Sequence, residues 1–408
     1  MPPPSSKICR LGGLLAALAC AALCRAQVSI SCLTLSAEER GRAEFIRGLG
    51  FTPGRDNDYY LHRLRLNLSL DPVPWLRFYF QGQDSRAPSY RTPVPDNVAN
   101  TFDLRQGYVE LGRTDKGPWG LRLGRQELIF GEERLVGASN WGNVGRAFDG
   151  ARLTWRRPRA RLDWFATTLV VPLNGVFDRP RLNDARLYGM YGAFENWLPK
   201  SVVEPFFLIK TDNRTHIAVY TGGARLNGKL PRRLDYDLEL ALQSGSAGAA
   251  HGRLGYTLSK DPLSPRLLAE YNYATGHGRY GTFDQLYPTN HNKYGTADVI
   301  AWRNIHDLMA GSEWKPLRQW KLNLDYHSFW LATRNDALYT EAGAAFVRNP
   351  AASSSHVGDE VDFQALWRAT TKLQLGLGVG HLFPGRFLKD STPGAGYTYP
   401  YILWSYTL

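Results

Sequence analysis

Three histidines, His251, His277 and His291, stand in or beside segments that read as loops, and carboxylates are plentiful around them. Those are the side chains a hydrolase uses for general acid and base work. The chain carries no G-x-S-x-G, no H-E-x-x-H and no paired-cysteine motif, and isolated loop histidines are ordinarily just solvated. No catalytic residue is assigned. Asp284, Asn290, Asn292 and Asp298 could offer oxygen ligands to calcium, but they lack EF-hand spacing and read more simply as solvated loop groups, so no metal or cofactor is assigned. What remains is charge in alternation. Arg63 and Arg65 alternate with Leu64 and Leu66, Arg77 stands between Leu76 and Phe78, and Arg152 and Arg156 flank Leu153 and Trp155. Asp235, Asp237 and Glu239 alternate with Leu234, Tyr236, Leu238 and Leu240, and Asp325 lies between Leu324 and Tyr326. A two-residue period with one apolar and one charged face is a half-buried β-strand. Charges held on such a face steer ions; they do not break bonds.

The strands that must position them recur along the whole chain. Leu64 to Leu70 and Leu76 to Gln81 form a hairpin about Asp71-Pro72-Val73-Pro74. Further strands are expected near 102–112, 119–128, 147–157, 160–171, 185–194, 202–211, 215–228, 234–244, 250–259, 266–275, 304–314, 320–331, 360–370, 373–383 and 397–408. Short turns alternate with mostly longer loops, the longest at 129–146, 172–184, 276–303, 331–359 and 384–396. Five-residue apolar faces on strands of about ten residues fit the apolar band, about 25 Å tall, of an outer-membrane barrel. Trp75, Trp155, Trp314, Trp320, Trp330 and Trp367 at strand ends would form its interfacial girdles. A soluble sandwich is the competing reading, but it needs no polar face on almost every strand. Ile402, Trp404, Tyr406 and Leu408 alternate to the last residue, the terminal pattern of outer-membrane proteins, although an aromatic final residue is usual there.

Seventeen strands follow from Tyr59 onward, and both termini of a bacterial barrel lie in the periplasm, which requires an even number. The weak segment 44–49 is therefore promoted to a first strand. The expected fold is all-β: a transmembrane antiparallel up-and-down barrel of eighteen strands, spanning 44–408, with short periplasmic turns and long extracellular loops. No periplasmic plug is expected, so closure must come from the outer loops, chiefly 276–303 and 331–359.

Lys7 and Arg10 precede an apolar run from Leu11 to Leu23 that ends in Cys24-Arg25-Ala26, so residues 1–26 read as a signal peptide, followed by a short segment, 27–43. A lipoprotein signal at Cys20 is the alternative, with Leu misplaced for it. Cys9, Cys20 and Cys24 leave with the leader and Cys32 stays alone, so no disulfide forms within the chain. The 49 basic and 37 acidic residues give +12, and loss of Lys7, Arg10 and Arg25 leaves +9. Such an excess suits polyanionic sugars or outer-membrane lipid headgroups. Nucleic acid is excluded by the leader and by the lack of a recognition motif.

Counted from segment 44–49, Arg63 and Arg65 fall on strand two, Arg77 on three, Arg152 and Arg156 on six, the three acids Asp235, Asp237 and Glu239 on eleven, and Asp325 on fifteen. In an eighteen-strand barrel strand two faces eleven and six faces fifteen. A basic wall should therefore oppose an acidic one, unless these residues simply pair with their neighbours.

The words LGRQEL, ERLVG, SNW and GR-FDGARL between Leu123 and Leu153, followed far downstream by TFDQLYPTNH and WRNIHD, resemble the alginate export family. The resemblance runs from about Tyr59 to the end. It implies an outer-membrane porin that exports an anionic, alginate-like polyuronate by passive passage, with substrate handed over by periplasmic export-complex proteins. It also implies an arginine ladder, carried here by Arg65, Arg125, Arg146 and Arg152, because arginine grips carboxylates in a bidentate manner. Strict alternation from Leu121 and Leu123 points Arg125 at lipid unless a bulge intervenes. A general or anion-preferring diffusion porin is the alternative, since a fold does not fix a function.

Overall fold

The computed structural model describes residues 32–408 apart from 92, 181–184, 214–215, 262 and 279–280. The leader lies outside the described residues. Eighteen antiparallel strands close into a barrel. They are β1 (Leu33–Ile46), β2 (Asn57–Val73), β3 (Leu76–Arg86), β4 (Asn100–Gly112), β5 (Trp119–Gln126), β6 (Phe148–Arg157), β7 (Ala160–Val171), β8 (Ala185–Glu195) and β9 (Ser201–Asp212). The second half holds β10 (Ile217–Leu230), β11 (Leu234–Gln243), β12 (Ala247–Thr257), β13 (Arg266–Ala274), β14 (Ile305–Trp314), β15 (Trp320–Leu331), β16 (His356–Arg368), β17 (Leu373–Pro384) and β18 (Tyr397–Thr407). The last strand returns to the first, with Glu44 opposite Tyr401 and Glu38 opposite Thr407, which leaves the sheet without an edge.

The exposure pattern is that of a soluble protein turned inside out. Leu240 on β11 is 51% exposed, while its neighbour Glu239 is 7% exposed. Leu238, Leu242, Leu254, Leu267, Leu308, Leu324 and Ile402 likewise stand outward on their strands, and Trp75, Trp119, Trp314 and Trp367 are exposed near strand ends. Apolar side chains outside and charged ones inside are stable only where the outer solvent is lipid.

The first strand differs from the expected one. It begins at Leu33 rather than Glu44, so residues 33–43 belong to the barrel, and Leu49–Phe51 is a 3-10 turn. Its outward positions include Glu39, paired with His62 at 3.0 Å, and Gly41, over which Trp404 and Tyr60 pack. A charged and a side-chain-free residue on the lipid side hide the alternation from a hydropathy reading. Between β1 and β2, and at every second junction thereafter, the connection lies on one rim; the opposite rim carries both barrel ends and only turns such as 231–233 and 369–372.

Candidate functional site

The inner faces of β1 to β4 carry the basic wall, and its guanidinium groups meet a loop. Arg40 donates to the carbonyls of Asn140 (2.9 Å), Trp141 (3.1 Å) and Gly142 (3.1 Å). Arg63 donates to the carbonyls of Asn140 (2.9 Å) and Gly142 (3.3 Å) and forms an ion pair with Glu38 (2.7 Å). Arg42 reaches the Trp141 carbonyl (2.7 Å), lies 3.8 Å over the Trp141 ring and pairs with Glu44; Arg65 reaches Asn140 Oδ1 (2.8 Å). All four belong to the fold's inner surface, and all four hold segment 140–142 of the connection between β5 and β6.

The other end of that connection is pinned to the far wall. Glu132 pairs with Arg225 of β10 at 3.2 Å, and Arg134 pairs with Glu270 of β13 at 2.9 Å while donating to the Tyr294 hydroxyl at 3.1 Å. The connection 127–147 thus crosses the lumen between walls that face each other. A second connection, 275–304, meets it: the amides of Gly137, Tyr287 and Thr289 bond to the carbonyls of Tyr287 (2.8 Å), Leu135 (2.9 Å) and Glu133 (2.9 Å). His291 stacks on Trp141 with ring centroids 3.6 Å apart. This second loop is held on the acidic side, where Asp362 accepts from the Thr296 amide (3.0 Å) and Glu360 from the Ala297 amide (2.8 Å).

The septum backbone explains the arginines of β1 and β2 and the carboxylates of β16, whereas the acids of β11 opposite pair with arginines, Asp237 with Arg225 and Asp235 with Arg266. A septum made of backbone offers carbonyl oxygens on one side and N–H groups on the other, and a buried peptide group must be satisfied. Arginines take the carbonyls and carboxylates take the amides. The apolar side of the septum, with Leu128, Phe130, Val136, Leu286 and Trp302, is buried inside the barrel. Phe130 stacks on Phe165 of β7 (5.1 Å) and Tyr191 of β8 (4.7 Å). The inner faces of β7 to β9 meet the septum with Phe165, Leu187, Tyr191, Phe206 and Leu208, all buried, although Asp163, Glu204 and Lys210 share those faces.

The residues singled out in the sequence fall into separate groups. Arg63 and Arg65 hold the septum. Arg146 belongs to it, donating to the carbonyls of Gly137 (3.1 Å), Tyr287 (2.7 Å) and Pro288 (2.8 Å). Arg77 pairs with Asp71, Arg152 with Asp163 (2.9 Å), and Arg156 donates to the Thr114 carbonyl (2.9 Å). Asp237 pairs with Arg225 and Asp235 with Arg266, Glu239 is buried, and one buried oxygen of Asp325 has no hydrogen-bond partner. Arg125 is the correction. It shares the face of the exposed Trp119 and Leu123 and stands opposite Asp149 on that outer face, pairing with it at 2.9 Å; a regular strand, not a bulge, keeps it off the lumen. Arg40, Arg42, Arg105, Arg134, Glu270, Glu360 and Asp362 were not singled out. The first two sit in a segment not recognised as strand. Asp284 goes to Lys210 and Asp298 to His291, and among the described residues no group of His, Cys, Asp or Glu is placed to hold a metal. Of the other histidines singled out, His251 bonds to Asn272 at 2.7 Å inside the wall, and His277 donates its amide to Thr282 Oγ1 (3.1 Å).

On the long-loop side of the septum lies a cavity of about 460 Å³ lined by Arg146, Lys210, Ser139, Asn290, Asp298 and Glu341, among others. Burial, reinforced by the nearby Asp298 and opposed by Arg146, pushes the Glu341 carboxyl up to about 7. Below that pH Glu341 is neutral and Arg146 sets the sign, Lys210 being paired with Asp284; above it a negative charge enters. Binding of a small uronate to this cavity should therefore weaken as pH rises from 6 to 8, and Glu341→Gln should flatten the profile, as read by calorimetric titration.

The sequence profile for alginate export matches residues 31–400. The chain belongs to the alginate export family. The two blocks that carry this family's words, one around 133–153 and one around 282–291, are the two halves of the septum, brought together although some 150 residues apart. A comparison with curated proteins returns no match. Solved barrels of Pseudomonas aeruginosa share the fold of this alginate export family member. OccK8 (OprE) superposes with a TM-score of 0.63 at 12% identity, covering 93% of this chain and 98% of its own. OpdO gives 0.63 at 14% identity with the same two coverages, and the outer membrane protein OpdK gives 0.62 at 10%, covering 92% and 98%. Family and fold together make the chain an outer-membrane transport channel rather than an enzyme.

Proposed function

We propose that this channel exports an anionic, alginate-like polyuronate passively through its lumen. The observation that carries the reading is the bonding of Arg40, Arg42, Arg63 and Arg65 to neutral acceptors of segment 140–142. A carboxylate, being charged, is a stronger acceptor for a guanidinium than a neutral peptide carbonyl and can engage it through two parallel bonds. A uronate chain arriving from the periplasm can therefore replace the loop's oxygens one by one, freeing segment 140–142 while the guanidinium groups stay satisfied. The acids of the far wall remain paired with Arg225 and Arg134, and Glu360 and Asp362 of β16 with the amides of 296–297, so the polyanion runs along the arginine side of the lumen. The protein reaches the outer membrane after cleavage behind Ala26, and periplasmic export-complex proteins deliver the substrate.

The second reading, an anion-preferring diffusion porin, draws on the enclosed cavity beside Arg146 and on a solved relative of the same fold, OpdK, determined with vanillate. Polymer and monomer separate the two. In planar bilayers, oligouronates of increasing length should block small-ion current with rising affinity on the export reading. Equal block by monomer and hexamer would favour the diffusion porin.

A further inference from the structure

Beyond the septum, toward the rim of short turns, the inner face of β1 to β4 changes character. Thr34, Ser36, Asn67, Ser69, Tyr79 and Tyr108 line a cavity of about 300 Å³. Asp71 and Arg77, at its edge, bond to each other through two contacts of 2.7 and 3.1 Å, so their charges close on themselves. The remaining surface is hydroxyl, amide and phenol. Asn67 is its hub: it donates to Ser36 Oγ (3.1 Å) and accepts from the Tyr79 hydroxyl (3.1 Å) and from Gln81 (2.7 Å). Tyr79 and Tyr108 stack with centroids 5.0 Å apart. The Ser69 hydroxyl is buried and without a hydrogen-bond partner.

We infer that this cavity is a saccharide subsite at the periplasmic mouth that reads hydroxyl groups rather than carboxylates. The inference rests on the polysaccharide reading. Three features point to sugar. Side-chain amides and hydroxyls both donate and accept, as sugar hydroxyls require. Tyr79, backed by the buried Tyr108 on whose ring the Arg122 guanidinium lies at 4.1 Å, supplies an apolar face for the ring's C–H groups beside a polar handle. The volume lies at the lower end of the range of about 300–1,000 Å³ for small-molecule sites. A channel lined here by free cations would hold a polyanion at its entrance; a self-neutralised, hydroxyl-reading entrance orients the chain and passes it on to the arginines. Binding here should be insensitive to salt, unlike binding at the arginine wall.

The test uses the purified full-length barrel in detergent, with mannohexaose as a neutral probe and a mannuronate hexamer as the anionic one, each titrated at low and high salt. Mannohexaose should bind wild type with an affinity that salt leaves unchanged, and about tenfold more weakly in Tyr79→Ala. Ser69→Val, which fills the cavity with little threat to folding, should weaken it as well; heat-modifiable gel migration reports folding in each case. If the mannuronate hexamer binds while mannohexaose does not, or binds both variants as it binds wild type, the subsite is overturned and the export reading stands. If neither hexamer binds wild type, both fall.

Discussion

Replacing residues 131–145 by a short Gly-Ser link should raise single-channel conductance several-fold. The connection contributes no rung to the barrel ladder: β5 and β6 pair from Trp119–Trp155 to Gln126–Phe148 without it. What it contributes is the septum, from the Glu132 and Arg134 anchors on one wall to segment 140–142 on the other. With it gone, the inner arginines face water, which supplies their hydrogen bonds, and an eighteen-strand barrel without a plug leaves an aqueous lumen. The variant should still shift on heating in a gel, since its wall is intact, but with a lower transition, because Phe130, which packs on Phe165 and Tyr191, loses the Val136 carbonyl that accepts its amide and the apolar cluster loses Leu135 and Val136. Conductance equal to wild type in planar bilayers would mean that the septum does not limit the current.

Changing Arg40, Arg63 and Arg65 together to serine should reduce the affinity for a mannuronate hexamer about a hundredfold. A hydrogen bond to a charged group contributes roughly 1.5–3 kcal/mol net, and each 1.4 kcal/mol is about a factor of ten. Three such losses would give more than a hundredfold if they added; the released loop carbonyls no longer compete, which offsets part of it. Arg125→Ser should leave the same affinity unchanged, because Arg125 pairs with Asp149 on the outer face. Titration at low salt checks both, and a fall in the Arg125 variant as large as in the triple variant would assign the effect to stability.

The wall was legible because its rule is local. Leu234 to Gln243 states its two faces residue by residue, and parity supplied the strand that hydropathy alone left weak. β1 was harder, since Glu39 and Gly41 on the outer side erase the alternation from which a strand is read. The opposed charges were legible too, but their purpose was not. Sequence placed Arg63 and Arg65 across from Asp237 and Glu239; only the structure puts a peptide chain between the walls and shows that the arginines take its carbonyls while Asp237 is taken by Arg225. Of the loops expected to close the lumen, 276–303 does so together with 127–147, whereas 332–355 supports it from the side through the Glu341 carbonyl, which accepts from Asn290 and Gln285. The clue for 127–147 was the run of apolar residues among the inner positions of β7 to β9, Phe165, Leu187, Tyr191, Phe206 and Leu208, which a barrel wall facing water would not need. No local rule links ERLVG to TFDQLYPTNH, because their contact depends on both loops folding inward at once.

The central claim is that backbone oxygens of 140–142 occupy the arginines in place of uronate carboxylates. It is tested most directly by titrating a mannuronate hexamer into wild type and into the loop-shortened barrel, at about 0.05 and 0.5 M salt. With its competitor removed, the shortened barrel should bind the hexamer more tightly than wild type at low salt, and both should weaken at high salt, where screening falls to a few ångströms. Equal or weaker binding in the shortened barrel, or binding that salt leaves untouched, would contradict it.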